Sequence, residues 1–467
     1  NQTFTNSYVP NSVTLSGDSG LKATKSVTGA PAPSEFEFNL ALTSENAGNV
    51  LVGSGEDATA FPESGITMST QDLFDEDTAT GSEDTTETVN FGDLTFTATG
   101  VYTFTVTEIT STEPDGWTYG SGSGAVITVT VTDDNYDGQL DATTVVTQGE
   151  GESATQIDTN NPTITNSYVP GSVDVGEGEA SGPVQVTKNI SGAPAPNDFS
   201  FTLTFDGDAA GNTGSIENIK GLSDGSITTS VSQADLDDNN ETASFGKLTF
   251  TAEGDYYFTV TENETAPNSG WTYDNAPKTV IIHVTDTDHD GYLEASVDDD
   301  AAVVNNSYSP SGVVVGDDEE ELQVTKQVTG APALSEFDFT LQLTSDNAAN
   351  VQGLGENNSI TKSTQDMTGK QGDETETVNF GDLTFTAEGD YVFTVTETTT
   401  TEAAGWTYDN AAKTITVHVT DDGYDGQLDA TVEGNNPTVM NSYSPTSVVV
   451  GDDEEELQVT KQVTGAP

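Results

Sequence analysis

Apolar and polar residues alternate along most of the chain in short runs, and turn-forming residues separate these runs. Runs such as YYFTVTE at 256–262 and TITVHVT at 414–420 place every second side chain on one face of a strand. No long segment repeats its apolar residues with the helical period. The pattern therefore predicts an all-β protein of antiparallel β-sandwiches, in which each sheet has one buried and one solvated face.

The same series of segments occurs three times along the 467 residues. The block LQVTKQVTGAP at 322–332 returns unchanged at 457–467, and looser copies begin at residues 21 and 184. Each of the first three copies is followed by a Phe-rich strand, an FGDLTF-like segment, a strand that ends in VTE, a GWTY segment and a closing NSY strand. Each repeat is long enough to bury a core of its own, so the chain is predicted to be a string of separate domains.

The repeats place the domain boundaries in segments rich in Pro, Gly and acidic residues, such as PGSVDVGEGEASGP at 170–183. These segments are interpreted as short acidic linkers, each with a short Val-rich strand inside. The predicted units are a last strand of a preceding repeat, three complete repeats, and a linker with the first strand of a following repeat. Their ranges are 1–10, 11–170, 171–310, 311–445 and 446–467.

The charge balance excludes several classes of partner. The chain has 78 acidic residues against 11 basic ones, all of them lysines, and a net charge of −67. Nucleic acid is excluded as a partner because few basic groups are present to neutralise phosphates. The charge indicates a well-hydrated extracellular or high-salt surface. The absence of cysteine rules out disulfides, and no apolar run is long enough for membrane insertion in this segment.

Three polar residues in each repeat continue an apolar alternation and are therefore expected to face the core. They are a lysine on the first strand, a glutamate that ends the VTE strand and an asparagine in the NSY strand. The lysines are Lys25, Lys188 and Lys326, the glutamates are Glu108, Glu262 and Glu397, and the asparagines are Asn166, Asn306 and Asn441.

Two interpretations account for these inward-facing groups. One is a structural Lys–Glu ion pair with the asparagine as a hydrogen-bond partner. The other is chemical: an apolar pocket favours a neutral amine and a neutral carboxylic acid. Such an amine attacks the carboxamide carbon while the acid polarises the carbonyl and passes a proton to the departing ammonia. The product is a Lys–Asn isopeptide bond between the first and the last strand.

The lysine on the first strand, the Y-x-F-x-V-x-E strand and the N-S-Y strand resemble the isopeptide-linkage domains of Gram-positive pilins and adhesins. The resemblance covers nearly the whole chain and implies the collagen-adhesin B-type, immunoglobulin-like fold in tandem. It implies the triads Lys25–Glu108–Asn166, Lys188–Glu262–Asn306 and Lys326–Glu397–Asn441, with the glutamates promoting the bond. It assigns Asn6 and Lys461 to crosslinks with repeats outside this sequence.

The function that the resemblance implies is structural: a segment of an extracellular fibre, pilus-like shaft or adhesin stalk on a bacterial surface. Its partners are then other copies or repeats of the same protein, and its only chemistry is a single self-crosslinking event, without enzymatic turnover. The alternative is an adhesive array that binds a host protein or glycan through the stretches that vary between repeats. These stretches are residues 44–88, 206–242 and 344–377.

Acidic turns occur at matching positions of the repeats: DDNYDG at 133–138, DTDHDG at 286–291 and DDGYDG at 421–426. Oxygen ligands at positions one, three and five followed by Gly resemble the start of a calcium loop. The second copy fits best, with Asp286, Asp288, Asp290 and then Glu294. The first copy has Asn135 at position three and the third has Gly423. A plain hairpin turn explains all three equally, so the expectation is no cofactor, with calcium as the alternative.

Overall fold

A computed structural model describes most of the chain. The described residues are 2–75, 80–81, 85–109, 113–120, 125–148, 155–157, 161–236, 239–263, 268–298, 302–316, 322–370, 374–399, 403–448 and 460–465.

The first repeat consists of strands β1 to β16. Their ranges are Val13–Leu15, Lys22–Thr28, Glu37–Leu42, Val50–Val52, Thr59–Ala60, Ile66–Ser69, Phe74–Asp75, Thr80–Gly81, Thr86–Asn90, Leu94–Phe96, Gly100–Ile109, Trp117–Thr118, Ala125–Thr132, Asp141–Gln148, Thr155–Ile157 and Thr163–Tyr168.

The second repeat consists of strands β17 to β28. Their ranges are Val173–Val175, Gln185–Ser191, Phe199–Phe205, Ile219–Lys220, Ser226–Val231, Asn240–Ser244, Leu248–Phe250, Gly254–Glu262, Trp271–Thr272, Lys278–Thr285, Glu294–Val297 and Ala302–Tyr308.

The third repeat consists of strands β29 to β40. Their ranges are Val313–Val315, Gln323–Thr329, Asp338–Leu343, Val351–Gln352, Ser359–Ser363, Glu374–Asn379, Leu383–Phe385, Gly389–Glu397, Trp406–Thr407, Lys413–Thr420, Asp429–Glu433 and Thr438–Tyr443.

Helical structure in the described residues is limited to single 3₁₀ turns. These are Gly17–Ser19, Ala47–Asn49, Gly55–Asp57, Ile216–Asn218, Gln233–Leu236, Ala348–Asn350 and Glu356–Asn358. No helix in this part of the chain combines the length and the apolar character needed to cross a bilayer. The all-β class and the tandem arrangement predicted from the sequence are confirmed.

Each repeat packs two main sheets face to face. In the second repeat one sheet has the strand order β22-β18-β28-β25 and the other β21-β19-β24-β26-β27. The third repeat has the same orders, β34-β30-β40-β37 and β33-β31-β36-β38-β39. The first has β12-β16-β2-β9 and β15-β14-β13-β11-β3-β6. A separate hydrophobic core fills each repeat, and its largest buried side chains include Phe104, Phe258 and Phe393.

The prediction of wholly antiparallel sheets is wrong at one pair in each repeat. The first long strand and the last strand lie side by side and run parallel, as β2 with β16, β18 with β28 and β30 with β40. A parallel pair cannot be joined by a tight turn, and here the rest of the repeat forms the connection. The strand that enters each repeat and the strand that leaves it are therefore neighbours, and the chain enters at one end of this pair and leaves at the other.

The predicted Val-rich strands are confirmed as β1, β17 and β29 in the linkers that precede the three repeats. In the linker after the third repeat, residues 449–459 lie outside the described part of the chain. Each pairs antiparallel with the LTF strand of the repeat that follows it, through β10, β23 and β35. These pairings belong to a third sheet in each repeat, with four strands in the first repeat and three in the others. The Val-rich part of each linker is thus built into the fold of the next repeat.

Candidate crosslinking site

The lysine of each repeat lies on a strand whose inward-facing positions are otherwise apolar. In β2 the buried side chains are Ala23, Lys25 and Val27, at the alternate positions expected for a strand. The Lys25 side chain is 0% exposed, as are those of Lys188 and Lys326. The alternation that makes this strand fold therefore also carries an ammonium-bearing side chain into the core.

The asparagine lies on the last strand, next to the lysine strand. In the first repeat Lys25 is paired with Ile164, and Asn166 is paired with Val27. Because side chains two apart share a face, Lys25 and Asn166 are diagonal neighbours on the inner face of one sheet. The register is the same in the other repeats, where Ile190 pairs with Asn306 and Val328 with Asn441.

The glutamate reaches the same place from the opposite sheet. Glu108 lies near the end of β11, where it pairs with Phe38 of β3. The corresponding residues Glu262 and Glu397 pair with Phe201 and Phe339. The three glutamate side chains are 2%, 1% and 0% exposed. Each carboxylate is thus held between the sheets, facing the lysine and the asparagine.

One carboxylate contacts both partners in every repeat. Lys25 Nζ donates to Glu108 Oε2 at 2.9 Å, and Asn166 Nδ2 donates to Glu108 Oε1 at 2.9 Å. The equivalent distances at Glu262 are 3.1 and 3.0 Å. At Glu397 they are 2.6 and 2.9 Å. The structure therefore brings together the nine residues that the sequence selected, as three equivalent clusters.

The lysine nitrogen is buried and lies close to an aromatic ring. Lys25 Nζ lies 4.3 Å from the centre of the Phe36 ring, and the matching distances in the other repeats are 4.4 Å. Burial lowers the pKa of Lys25 to about 8, although the contact with Glu108 acts in the opposite direction. Burial also lowers the pKa of Lys326. These lysines therefore lose their proton to form the neutral amine more readily than a solvated lysine does.

The asparagine carbonyl has a separate partner that the sequence pattern did not reveal. Asn166 Oδ1 accepts a hydrogen bond from the backbone N–H of Gly120 at 2.9 Å. The backbone N–H groups of Asp274 and Asp409 donate in the same way to Asn306 and Asn441, both at 3.0 Å. The carboxylate thus contacts the amide nitrogen, while a backbone donor contacts the carbonyl oxygen.

These backbone donors occupy the same position in each repeat. That shared position is the sequence feature from which the donors could have been predicted. Each donor is the residue that immediately follows a GWTY segment: Gly120, Asp274 and Asp409. This position is a glycine in the first repeat and an aspartate in the other two, and the N–H group is present in all three. A backbone donor aimed at a carbonyl oxygen polarises it and stabilises negative charge that develops there.

The other residues singled out in the sequence lie away from these clusters. Asn6 and Lys461 are exposed and lie outside the strands of the described chain. Asp286, Asp288 and Asp290 lie in the turn between β26 and β27, with one carboxylate oxygen of each within 4.8 Å of the others. Glu294 is not a member of this acidic group.

Comparison with known proteins gives one family match that covers most of the chain. The model of the Spy0128-like isopeptide containing domain matches residues 21–169, 184–309 and 322–444. No curated protein sequence matches this chain.

Several solved structures show a distant similarity. The major pilin protein T-13 from Streptococcus pyogenes is 18% identical, over 59% of this chain and 100% of that chain, with a TM-score of 0.21. Another major pilin from Streptococcus pyogenes is 20% identical, over 56% and 98% of the two chains, with a TM-score of 0.22. BcpA, the major pilin subunit of Bacillus cereus, is 10% identical, over 91% and 99%, with a TM-score of 0.14.

The three matched ranges include the three Lys–Glu–Asn clusters described above, one in each range. On the strength of this match, the chain belongs to the family of Spy0128-like isopeptide containing domains, which it carries in three tandem copies.

Proposed function

We propose that each repeat closes an isopeptide bond between its lysine and its asparagine, and that the bonded array serves as part of a surface fibre. The single observation that carries the proposal is the threefold recurrence of one contact pattern. In each repeat one buried carboxylate accepts hydrogen bonds from both the lysine and the asparagine. An ion pair alone does not require the asparagine, and it is a weak source of stability when buried.

The first step is transfer of a proton from the lysine to the glutamate. In the first repeat the 2.9 Å contact between Lys25 Nζ and Glu108 Oε2 is the path for this proton. The transfer replaces a buried ion pair with a neutral amine and a neutral acid, which costs little where water is excluded. The lysine nitrogen then carries the lone pair that the reaction needs.

The second step is attack of the amine on Asn166 Cγ. A C–N bond forms, and the electron pair of the C=O bond moves to Oδ1, where the Gly120 N–H stabilises it. Glu108 gives its proton to Nδ2 and takes a proton from the lysine nitrogen. The bond from Cγ to Nδ2 breaks, the carbonyl reforms, and one ammonia molecule leaves. Rigid placement between two sheets supplies the effective concentration that an unreactive amide requires.

The bond joins the two strands that connect a repeat to its neighbours. Force that enters on β2 passes through Lys25 to Asn166 and leaves on β16 without loading the strands between them. The rest of the repeat is then protected from extension. The reaction occurs once per repeat and releases no other product, so the role is structural and involves no enzymatic turnover.

The assignment to a fibre is supported by membership of this domain family and by the kind of protein that is similar in structure. The similar structures named above are major pilins. A net charge of −67 fits a well-hydrated extracellular surface. We therefore propose a bacterial cell surface as the location and other copies or repeats of the protein as the partners.

Immunogold electron microscopy of the producing cells tests this role. Antibodies raised against the purified chain are expected to label surface filaments along their length, because a shaft protein repeats along the fibre. Antibodies absorbed with the purified chain are the control. Label confined to the cytoplasm, or scattered over a surface that bears no filaments, would exclude the shaft.

The alternative role is an adhesive array that uses the variable stretches at 44–88, 206–242 and 344–377. It predicts that the soluble chain binds host cells or immobilised glycans saturably. It further predicts that exchange of these stretches between repeats changes the ligand. The shaft role predicts no saturable binding in the same assay.

A further inference from the structure

The acidic turns contact the tyrosine of the preceding NSY segment. At the junction between the first and second repeats, the Tyr168 hydroxyl donates to Asp286 Oδ2 and accepts from the Gly291 N–H at 2.9 Å. Tyr308 does the same with Asp421 at 2.6 Å and Gly426 at 3.0 Å. Each acidic turn is therefore a contact between repeats as well as a hairpin.

The contact at the first of these junctions is close and buried. Gly291 has φ +96, and a Cβ at this position would lie 2.6 Å from the Cβ of Asp115 in the preceding repeat. Only a residue without a Cβ at this position allows the two repeats to approach this closely.

The second oxygen of the same aspartate is buried without a partner. Asp286 is 2% exposed, and its Oδ1 has no hydrogen-bond partner in the described part of the chain. A buried carboxylate oxygen that has lost water and gained nothing in return is costly. The equivalent oxygens of Asp133 and Asp421 are unpartnered in the same way, so the second turn is distinguished by the further carboxylates that lie near Asp286.

Further carboxylates lie near Asp286. Carboxylate oxygens of Asp286, Asp288 and Asp290 lie within 4.8 Å of one another. Asp115, from the preceding repeat, is hydrogen-bonded to the Tyr292 hydroxyl at 3.2 Å. Among the described residues, no lysine or histidine forms an ion pair with the three clustered carboxylates.

We propose that Asp286, Asp288 and Asp290 bind a calcium ion, and that this ion stabilises the junction between the first and second repeats. Calcium takes several oxygen ligands and tolerates irregular geometry, which suits carboxylates at alternate positions of a tight turn. The ion neutralises the unpartnered oxygen of Asp286, whose other oxygen holds Tyr168. Binding of the metal and docking of the tyrosine therefore favour each other.

The other two turns provide internal comparisons. In the first turn Asn135 takes the place of Asp288, and its Nδ2 donates to Asp137 Oδ2 at 3.1 Å. The amide thus already satisfies a carboxylate that the ion would need. In the third turn Gly423 contributes no side chain at this position. The affinity for calcium is therefore expected to be highest at the second turn.

Isothermal titration of the full chain with calcium chloride tests the proposal. We expect a dissociation constant of roughly 10⁻⁴–10⁻³ M, the range of extracellular calcium modules with few charged ligands. Asp288→Asn is expected to weaken binding at least about ten-fold, because it removes one charged ligand. The matched control is Asp425→Asn in the third turn, which makes the same change and is expected to leave the titration unaltered.

A variant that is expected to gain a calcium site provides a second test of the proposal. Gly423 has open space where a Cβ would be added, and its backbone conformation accommodates other residues. Gly423→Asp restores the ligand pattern of the second turn and is expected to add about one further calcium per chain. The proposal is overturned if wild type shows no calcium-dependent heat up to about 10 mM. It is also overturned if Asp288→Asn binds like wild type, or if sodium at matched ionic strength gives the same response.

Discussion

Replacing Glu262 with Gln is expected to lower the unfolding temperature of the second repeat by roughly 15–25 °C while the other two repeats unfold as before. Gln has the shape of Glu but cannot accept the proton of Lys188, so the bond of this repeat does not form. A crosslink that closes a loop of more than 100 residues stabilises a domain by about 4–5 kcal/mol, if the entropic account of disulfides applies. Differential scanning calorimetry of the full chain resolves the effect as one displaced transition.

The matched control is Glu179→Gln in the same repeat. Glu179 Oε1 also accepts from a lysine, Lys247, at 3.3 Å, but both side chains are substantially exposed. Surface pairs of this kind contribute about 0–1 kcal/mol, so this variant is expected to unfold like wild type. Equal transitions for Glu262→Gln and Glu179→Gln would show that the buried contact carries no crosslink.

The second large effect is on mechanical extension. When the wild-type chain is pulled from its ends, no repeat is expected to extend fully. In each repeat the bond connects the lysine strand directly to the last strand, so the chain between them carries no load. Lys326→Met removes the nucleophile of the third repeat and keeps an apolar side chain of similar length. This variant is expected to add one step of roughly 40 nm, since each released residue contributes about 3.5 Å. Single-molecule force spectroscopy measures the step directly.

Lys362→Met is the control for this experiment because Lys362 lies on β33 of the same repeat and is exposed. It is expected to give traces without the added step. Steps of this size in the wild type would mean that the third repeat extends under load, which a covalent bond from Lys326 to Asn441 forbids.

The inward-facing residues were predictable because strand periodicity assigns each side chain to a face. Lys25, Glu108 and Asn166 each continue an apolar alternation, and the structure brings them into contact. The pattern could not predict that β2 and β16 run parallel, because alternation gives the face of a residue and contains no information about strand direction. Only the assembled sheets define which strands are neighbours.

The two features that were missed lie outside what side-chain patterns describe. The donors to the asparagine carbonyls are backbone N–H groups, at a position occupied by Gly120 in one repeat and by aspartates in the others. The contact between Tyr168 and Asp286 joins two repeats, whereas periodicity describes one strand at a time. The acidic turns therefore resembled ordinary hairpins or calcium loops, and their role at the junctions was not apparent from the sequence.

The intact mass of the purified full chain tests the central claim most directly. Each isopeptide bond releases one ammonia molecule, so the account predicts a mass below the sequence value by three ammonia molecules. Glu262→Gln is expected to show a deficit of two when compared with its own sequence mass. A wild-type mass equal to the sequence value would contradict the account, because the three buried clusters would then be ion pairs and nothing more.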